Sequence, residues 1–476
     1  MSVPPLPMEL SRSILLAAHL RGEPRLPGDK SISHRALLLA ALAEGESMVS
    51  GAGDGMDVQA TAAIVTALGA AVERVREDGL NVDYRVVSPG ADGLHEPNGV
   101  LDCRNSGTSL RLWSGALASL PFFSILDGDA SLRSRPVARI IEPLRLMGAA
   151  LYARRSDTLP PLVVIGSPRL TAIDFSTRVP SAQIKSAILL AGLRAEGRTT
   201  VREAVATRDH TERMLRSRGI DVRREPAGST GGGPVAWSLD GGARLRPLDE
   251  RVPADPSAAA FWLVAGAIHP DADLTLRAVG VNPTRRAAID ILVRMGARID
   301  ETALGGAATA GGAAAARGQA TASEAAPVGG AADVGEPLAD LTVRSSDLRA
   351  VDLGPAEVAS AIDEIPILCL AATQARGRTT IRGAGELRNK ESDRIAGIAS
   401  GLRALGARVS VNGDDIVIEG PTPLVGSATR TFDDHRLAMT FAVAGLIASG
   451  STTIDRAESA AVSYPSFFLE LERLRA

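Results

Sequence analysis

The sequence predicts an α/β (α+β) fold built in two lobes, and three observations predict it. A unit recurs about six times, its strands starting near Ser47, Phe123, Thr199, Asp273, Thr379 and Thr452, most of them roughly 75 residues apart. Five units end a helix at a glycine, at Gly69, Gly148, Gly219, Gly296 and Gly406, where a left-handed cap suits the turn into the next strand. Finally, 476 residues are too many for one core and enough for two domains.

Within a unit the order reads as a short helix, a strand closing on small polar residues, and a longer helix. The sixth such helix, Ser466 to Arg475, runs to the C-terminus. Two proline junctions resemble one another, Arg25-Leu26-Pro27-Gly28-Asp29 and Arg251-Val252-Pro253-Ala254-Asp255-Pro256. Each precedes an Ala-rich apolar run, Ala36 to Ala43 and Ala258 to Ala267, and proline disfavours helix just before itself. Two crossings there would give one lobe over 28–252. The N-terminal strand within 1–27, together with 253–476, would form the other. Three units fall in each, and a closing cleft between them is expected. The spacing from the fourth to the fifth strand carries about 30 extra residues. They are an Ala/Gly/Ser/Thr segment at about 303–335, read as an exposed loop without catalytic role.

Composition narrows the function. Lys plus Arg (52) and Asp plus Glu (55) nearly cancel to a formal charge of −3, which gives no bulk-charge footprint for nucleic acid. Two cysteines, Cys103 and Cys369, make a disulfide framework improbable and point to a reducing compartment. The apolar stretch Ile14 to Ala18 is short for a secretory segment, and no run approaches a membrane span, so the cytoplasm is the expected location. With aromatic residues at 3%, the core must come from Ala, Leu, Val and Ile.

Seven polar motifs interrupt the repeats at positions that differ from unit to unit. Pro27-Gly28-Asp29-Lys30-Ser31-Ile32-Ser33-His34-Arg35 opens a helix, where backbone N–H groups and the helix dipole favour an anion and Lys30, Ser31 and Arg35 add donors. A capped helix with solvated charges fits this motif equally well when it is taken alone. Asn105-Ser106-Gly107-Thr108-Ser109-Leu110-Arg111 is a second small-polar turn. Asp129 to Pro136 places Arg135 immediately before a proline that can start a helix, a position suited to carboxylate or phosphate recognition. Ser181-Ala182-Gln183-Ile184-Lys185-Ser186 heads a helix over Ala187 to Leu193 and offers Ser181 and Gln183 as uncharged donors. Thr207-Arg208-Asp209 follows, where Arg208 supplies charge and Thr207 or Asp209 a cap.

Ala361-Ile362-Asp363-Glu364-Ile365-Pro366 sets carboxylates at the threshold of the helix Ile367 to Ala372. Asn389-Lys390-Glu391-Ser392-Asp393-Arg394 reads as another helix start, with Lys390 and Arg394 four apart on one face. Asp433-Asp434-His435-Arg436 precedes the helix Leu437 to Ala448. It invites a metal, but no second His or Cys stands at ligand spacing, so a cap beside an anion-binding Arg is the better reading. Lys30, Arg35, Arg135, Arg208, Lys390, Arg394 and Arg436 thus fall at equivalent helix starts of different units. Their convergence would build a cationic pocket holding two or three carboxylates, suited to small anionic substrates and to acid–base chemistry.

In these segments the chain resembles the 3-phosphoshikimate 1-carboxyvinyltransferase (5-enolpyruvylshikimate-3-phosphate synthase) family. The motifs at Pro27 to Arg35, Asn105 to Arg111, Ser181 to Ser186, Ile362-Asp363-Glu364, Lys390 to Arg394 and Asp434-His435-Arg436 match it in order over nearly the whole chain. The resemblance implies two lobes of three βαβαββ units in an inside-out α/β barrel, with the active site between them. It implies transfer of the enolpyruvyl group of phosphoenolpyruvate to the 5-hydroxyl of shikimate 3-phosphate, in the shikimate route to chorismate and aromatic amino acids. Neither metal nor cofactor is implied, and a monomer is. Shikimate 3-phosphate is expected near Lys30, Ser31, Arg35, Ser181, Gln183, Arg208, Asp363 and Lys390. Phosphoenolpyruvate is expected near Lys30, Gly107, Arg135, Gln183, Arg394 and Arg436. Asp363 is the candidate to take the hydroxyl proton, while Glu391 and Lys30 are the two candidates at C3 of phosphoenolpyruvate. The chain departs from the family pattern at Arg104, where many members have Gly, and at Val462, where many have Lys. Gly107 follows the glyphosate-sensitive pattern. Two alternatives share the fold. One is the transferase acting on UDP-N-acetylglucosamine, which usually has a reactive Cys in the loop corresponding to Asp129 to Pro136, where none stands here. The other is a non-catalytic anion-binding scaffold, for which Lys30, Asp363 and Glu391 together would be superfluous.

Overall fold

The computed structural model describes residues 11–226, 234–304 and 335–476. The segment read as an exposed loop lies, over 305–334, outside the described residues.

One sheet pattern recurs through the six units. A short strand runs parallel to the first long strand, which pairs antiparallel with a third strand, which pairs antiparallel with a fourth. In the second unit these are Leu101–Asp102, Phe123–Asp127, Leu159–Ile165 and Ala150–Ala153. In the fifth they are Asp352–Leu353, Gly377–Ile381, Asp415–Gly420 and Arg408–Asn412. Two units borrow their short strand from elsewhere: Glu250–Arg251 joins Glu44–Gly53, and Leu20–Gly22 joins Ala272–Gly280. The sixth unit has three of these strands among the described residues. Its third strand is the N-terminal Ser11–Leu15, antiparallel to Ser451–Asp455, with Ser11 opposite Asp455 and Leu15 opposite Ser451.

Two kinds of helix alternate with these strands. Lys30–Leu42, Gly107–Ala118, Ala182–Gly192, Pro256–Ile268, Ile365–Gln374 and His435–Gly445 are buried nearly all round. Met56–Ala67, Ala138–Leu146, His210–Ser217, Ala287–Arg294 and Arg394–Ala404 each keep one face toward solvent, and each is followed two residues on by a glycine with φ between 89° and 104°. The glycine caps therefore sit where the sequence places them, since an L side chain at that φ would be strained.

The relative lengths do not follow the expectation. Helices preceding the strands have 13, 12, 11, 13, 10 and 11 residues, whereas those closing on glycine have 12, 9, 8, 8 and 11. A helix surrounded by core has no polar face to mark its period, so only its most apolar stretch is legible. The run Ala36 to Ala43 belongs to a helix that starts at Lys30, Ala187 to Leu193 to one that starts at Ala182, and Ile367 to Ala372 to one that starts at Ile365. Likewise Leu437 to Ala448 is the helix His435–Gly445, shifted toward its cap.

Two hydrophobic clusters fill the interior. One draws on residues from Ile32 to Val252; the other joins Ile14, Ala17, Leu20 and Leu26 to residues from Ala258 to Leu474, with Leu80 added. Both are dominated by Ala, Leu, Val and Ile. A small aromatic knot reinforces the second, in which the Trp262 and Phe467 rings stand 5.2 Å apart and Trp262 Nε1 donates to the Tyr464 hydroxyl at 3.1 Å. The two proline junctions lie side by side: Asp29 N–H donates to the Pro253 carbonyl at 2.7 Å, and Asp255 N–H to the Pro27 carbonyl at 2.9 Å. Each chain passage is thus fixed by the other, immediately before a helix whose N-terminus bears polar residues. No helix among the described residues is long and apolar enough to cross a membrane.

Candidate active site

Side-chain caps aim the polar motifs. Asp29 accepts from Ile32 N–H at 2.9 Å and makes Lys30 the first helical residue. Ser106 accepts from Ser109 N–H at 3.0 Å, which puts Gly107 at the start of its helix. Ser181 Oγ accepts from Ile184 N–H at 3.4 Å, just ahead of Gln183. Asp393 caps the helix that begins with Arg394, and Asp434 accepts from Arg436 N–H at 2.9 Å. Each cap satisfies a free N–H and leaves the others of that turn, with the dipole, facing the same region as the cations.

Three of the cations are not helix starts. Arg135 follows the 3-10 turn Leu132–Ser134, and the next helix begins only at Ala138. Lys390 closes the 3-10 turn Gly385–Asn389, so it and Arg394 do not share a helix face: Glu391, Ser392 and Asp393 form a bend between them. Arg208 lies in the loop ahead of His210–Ser217. Arg35 stands one turn into its helix. These three loop positions depend on tertiary pairing, which local sequence does not carry.

Asp363 is the centre of the constellation. Arg208, from the other half of the chain, donates to its Oδ2 at 2.9 Å; Lys390 Nζ and Arg394 Nη1 lie 3.5 and 3.6 Å from its Oδ1. Arg436 Nη1 donates to its backbone carbonyl at 2.9 Å. Burial pushes the carboxyl up, but Lys390, Arg436, Arg208 and Arg394 outweigh it and hold the group well below the ordinary carboxylate range. Arg394, 1% exposed, also binds Asp434 (2.7 Å from Nε) and Glu391 (2.6 Å from Nη2). Glu391 is likewise depressed: burial raises it, and Arg394, with His435 and Arg135, more than compensates. Arg394 Nη1 is buried without a hydrogen bond of its own among the described residues, so one guanidinium donor remains to be filled.

A second group faces it. Gln183 Oε1 accepts from Arg111 Nη1 at 2.9 Å, while its Nε2 donates to Thr108. Arg135 Nη2 donates to Asn105 Oδ1 at 2.7 Å and to Ser131 Oγ at 3.1 Å. Lys30 forms an ion pair with the buried Asp57. Arg35 spends its donors on the protein, on Thr211 Oγ1 (2.7 Å), Ser186 Oγ (3.0 Å) and the Ser31 carbonyl (2.9 Å), and burial lowers it to about 10. Ser31 therefore lies under Arg35, and Lys185 of the same motif lies apart, fully buried between Glu203 and Glu212. A cavity of about 860 Å³ lies beside them, its walls including Glu391 from the first group, Asn105 and Ser131, the partners of Arg135, from the second, and Asp57 and His435.

Sequence reading missed Asp57, Arg111 and Arg285. Arg111 sits inside a motif that was noticed, one turn after Gly107, and its spacing is the signal that could have found it. Asp57 and Arg285 have no local signature. Arg285 lies beneath the site, bonded to Ser257 Oγ at 2.7 Å and 3.3 Å from Glu364 Oε1, and supports the turn that carries Asp363. Cys103 and Cys369 are free and buried, and burial pushes the Cys369 thiol up to about 12. Among the described residues no three His, Cys, Asp or Glu side chains are grouped to hold a metal ion.

Comparison with known proteins supplies the family. The family model described as EPSP synthase (3-phosphoshikimate 1-carboxyvinyltransferase) matches residues 16–471. A 3-phosphoshikimate 1-carboxyvinyltransferase of Gloeobacter violaceus is 48% identical over 464 residues, covering 97% of this chain and 98% of that protein. One from Bacillus cereus is 43% identical, with 96% and 97% covered. The solved structure of an EPSP synthase from Acinetobacter baumannii superposes with a TM-score of 0.81 at 40% identity, over 98% of both chains. An enolpyruvyl transferase from Streptomyces tendae, 22% identical, shares the fold at a TM-score of 0.71 over 97% of this chain and 96% of that one.

Proposed function

Since the chain belongs to the EPSP synthase family, we propose that its reaction takes place where Arg208, Lys390, Arg394 and Arg436 surround Asp363. The chain transfers the enolpyruvyl group of phosphoenolpyruvate to the 5-hydroxyl of shikimate 3-phosphate and releases phosphate, a step of the shikimate pathway to chorismate and aromatic amino acids. The relatives share this activity rather than transfer to UDP-N-acetylglucosamine, and no Cys stands between Asp129 and Pro136.

In this reading the halves 28–252 and 11–27 with 253–476 are two domains that close on the substrates. Shikimate 3-phosphate lies against Lys30, Ser31, Ser181, Gln183, Arg208 and Lys390, with Arg35 contributing charge from behind Ser31. Phosphoenolpyruvate lies against Lys30, Gly107, Arg135, Gln183, Arg394 and Arg436, and the unfilled Nη1 of Arg394 is a ready donor to it. Cation pairs match carboxylate and phosphate geometry, and closure around them excludes water from a hydrolysable intermediate.

The 5-hydroxyl adds to C2 and gives up its proton toward Asp363, while C3 gains a proton, yielding a tetrahedral ketal. Phosphate then leaves from C2 as C3 loses a proton. In the free protein Asp363 is too acidic to be a strong base. Two multiply charged substrates would neutralise its surrounding cations and raise its basicity when the hydroxyl arrives. Lys30, held by Asp57, and Glu391, held by Arg394, are the two groups for proton transfer at C3, and Asp57 and Glu391 line the same cavity. A monomer in the cytoplasm completes the reading.

The single observation that carries the assignment is the Asp363 carboxylate held by cations from both halves. Purified protein should release phosphate only with both substrates present. Turnover with UDP-N-acetylglucosamine in place of shikimate 3-phosphate, or binding of both substrates without turnover, would reject the assignment.

Gly107 allows a sharper test. A Cβ built there would stand 2.6 Å from Arg111 Nη1 and 3.6 Å from Arg135 Nη1. Arg111 would have to swing, loosening its bond to Gln183, and the methyl would narrow the space beside Arg135. Gly107→Ala is expected to raise KM for phosphoenolpyruvate about tenfold with a smaller change in kcat. Glyphosate should inhibit the wild type competitively with phosphoenolpyruvate and the variant much less. Equal inhibition constants for the two proteins would contradict this.

A further inference from the structure

Arg104 is a residue that the roles above leave unused, and its setting is unusual in three respects. Its backbone is left-handed, at φ 51°, a conformation costly for any residue but Gly, Asn or Asp. The surroundings enforce it: Asp102 Oδ1 accepts from Arg104 N–H at 2.7 Å, and the Arg104 carbonyl accepts from Asp129 N–H at 2.9 Å. Phe432 and Asp433 on the opposite wall of the 860 Å³ cavity are left-handed as well, so three of the eight described non-glycine residues with positive φ face one space. Strain of this kind persists where a site requires a side chain to be held in place.

The second respect is charge. Of the carboxylates lining this cavity, Asp57 is paired with Lys30, Asp127 with Arg133, Glu391 with Arg394 and Asp433 with Arg456, while Asp102 and Asp129 accept only from neutral donors among the described residues, the Arg104 and Leu132 N–H groups and Asn105 Nδ2. Burial lowers His435 to about 4, which leaves it neutral at physiological pH. Among the described residues Arg104 has no carboxylate partner for its side chain. Only Nη1 is engaged, with Gln59 Oε1 at 3.2 Å and the Met56 carbonyl at 3.5 Å, both neutral acceptors. The Nε and Nη2 donors of a half-buried guanidinium therefore remain free among the described residues. The third respect is position. The next residue, Asn105, accepts from Arg135 and lines the same cavity.

We propose that Arg104 is an additional anion-docking residue, which binds the carboxylate or phosphate of phosphoenolpyruvate on the cavity wall and passes it to Arg135. The inference rests on the reaction assigned above. An arginine in a glycine conformation, with Nε and Nη2 free next to Asn105 and its partner Arg135, is explained by an anionic ligand that accepts from those donors.

The test compares wild type with Arg104→Gly and Arg104→Lys in steady-state kinetics at low and high salt, alongside thermal melts. Glycine removes the charge and relieves the backbone, so the expected result separates binding from folding. KM for phosphoenolpyruvate should rise roughly fivefold in Arg104→Gly. KM for shikimate 3-phosphate and kcat should change by less than about twofold on the same grounds. The salt dependence of kcat/KM for phosphoenolpyruvate should flatten, Tm should hold or rise, and Arg104→Lys should recover part of the loss. An unchanged KM for phosphoenolpyruvate, an equal rise for both substrates, or a fall in Tm with no change in salt dependence would overturn the proposal. Calorimetric titration of phosphoenolpyruvate, with and without shikimate 3-phosphate, reads the same difference without turnover. An inactive wild type would therefore refute the reaction and still decide the role of Arg104.

Discussion

Asp363→Ala should lower kcat by about three orders of magnitude while leaving KM for both anionic substrates equal to the wild type or lower. Among the described residues the carboxylate is the only negative charge touched at once by Arg208, Lys390 and Arg394. Removing it abolishes the acceptor for the hydroxyl proton, yet leaves the cations more attractive to phosphate and carboxylate than before. A merely structural role for Asp363 would raise KM along with lowering kcat. Stability follows from linkage. The folded-state pKa is depressed, so the ionised group stabilises the fold above its unfolded value of about 3.9, and that contribution is lost as pH falls through the folded value. The variant should therefore be less stable than wild type at neutral pH, converge with it in acid, and recover when inorganic phosphate is added. A kcat within tenfold of wild type would remove Asp363 from the chemistry.

Arg394→Ala should cost about 3–5 kcal/mol of stability, because it leaves buried acids without their partner. Asp434 has no exposed side-chain surface, and Glu391 would lose its 2.6 Å bond. Asp434 also caps the helix His435–Gly445 and accepts from Arg436 N–H, so the damage reaches the start of that helix. Arg394→Lys keeps the charge but cannot bond Asp434 and Glu391 simultaneously as the guanidinium fork does. Urea midpoints should therefore rank wild type above Lys and Lys above Ala. In wild type Asp434 is held below its ordinary range: burial raises it, but Arg394 and His435 outweigh that. The loss in the Ala variant should accordingly shrink below about pH 4, where the unpaired acids take up protons. Matching urea midpoints for the three proteins at pH 7 would show that the pairings carry no net stability.

The sequence was most legible where a requirement is local. Gly69, Gly148, Gly219, Gly296 and Gly406 could be placed because the end of a helix demands a backbone that only glycine adopts easily. The repeat spacing placed the strands: the starts near Ser47, Phe123, Thr199, Asp273, Thr379 and Thr452 fall in Glu44–Gly53, Phe123–Asp127, Arg198–Glu203, Ala272–Gly280, Gly377–Ile381 and Ser451–Asp455. Helix starts were less visible: Asp29, Ser181 and Asp434 cap turns composed of polar residues that read equally well as loop. The site divided in the same way. Lys30, Gly107, Gln183, Arg394 and Arg436 were recognisable as helix-start residues. Arg135, Arg208 and Lys390 lie in loops, and only their partners, up to 155 residues away in the case of Arg208 and Asp363, define where they point. Asp57 and Arg285 could not be found at all, because Asp57 matters through an ion pair with Lys30 and Arg285 through Asp255 and Glu364, all of them distant in sequence. Arg35 shows the converse: its position promised a ligand contact, and the fold committed its donors to Thr211, Ser186 and Ser31.

The use of Ser11–Leu15 as the third strand of the last sheet and of Leu20–Gly22 beside Ala272–Gly280 has a consequence for biosynthesis. The stretch 28–252 emerges from the ribosome with every strand of its three sheets already present and can fold while translation continues. The first two strands of the chain have no such option. The partner of Leu20–Gly22 appears some 250 residues later and that of Ser11–Leu15 some 440, which at about 5–20 residues per second is a wait of roughly 20–90 s for Ser11–Leu15. Through that interval the amino-terminal segment trails from a finished neighbour as an unpaired edge, the kind of surface that invites association with other chains. The sheets that take in Ser11–Leu15 and Leu20–Gly22 can close only after Ser451–Asp455 and Ala272–Gly280 have been synthesised.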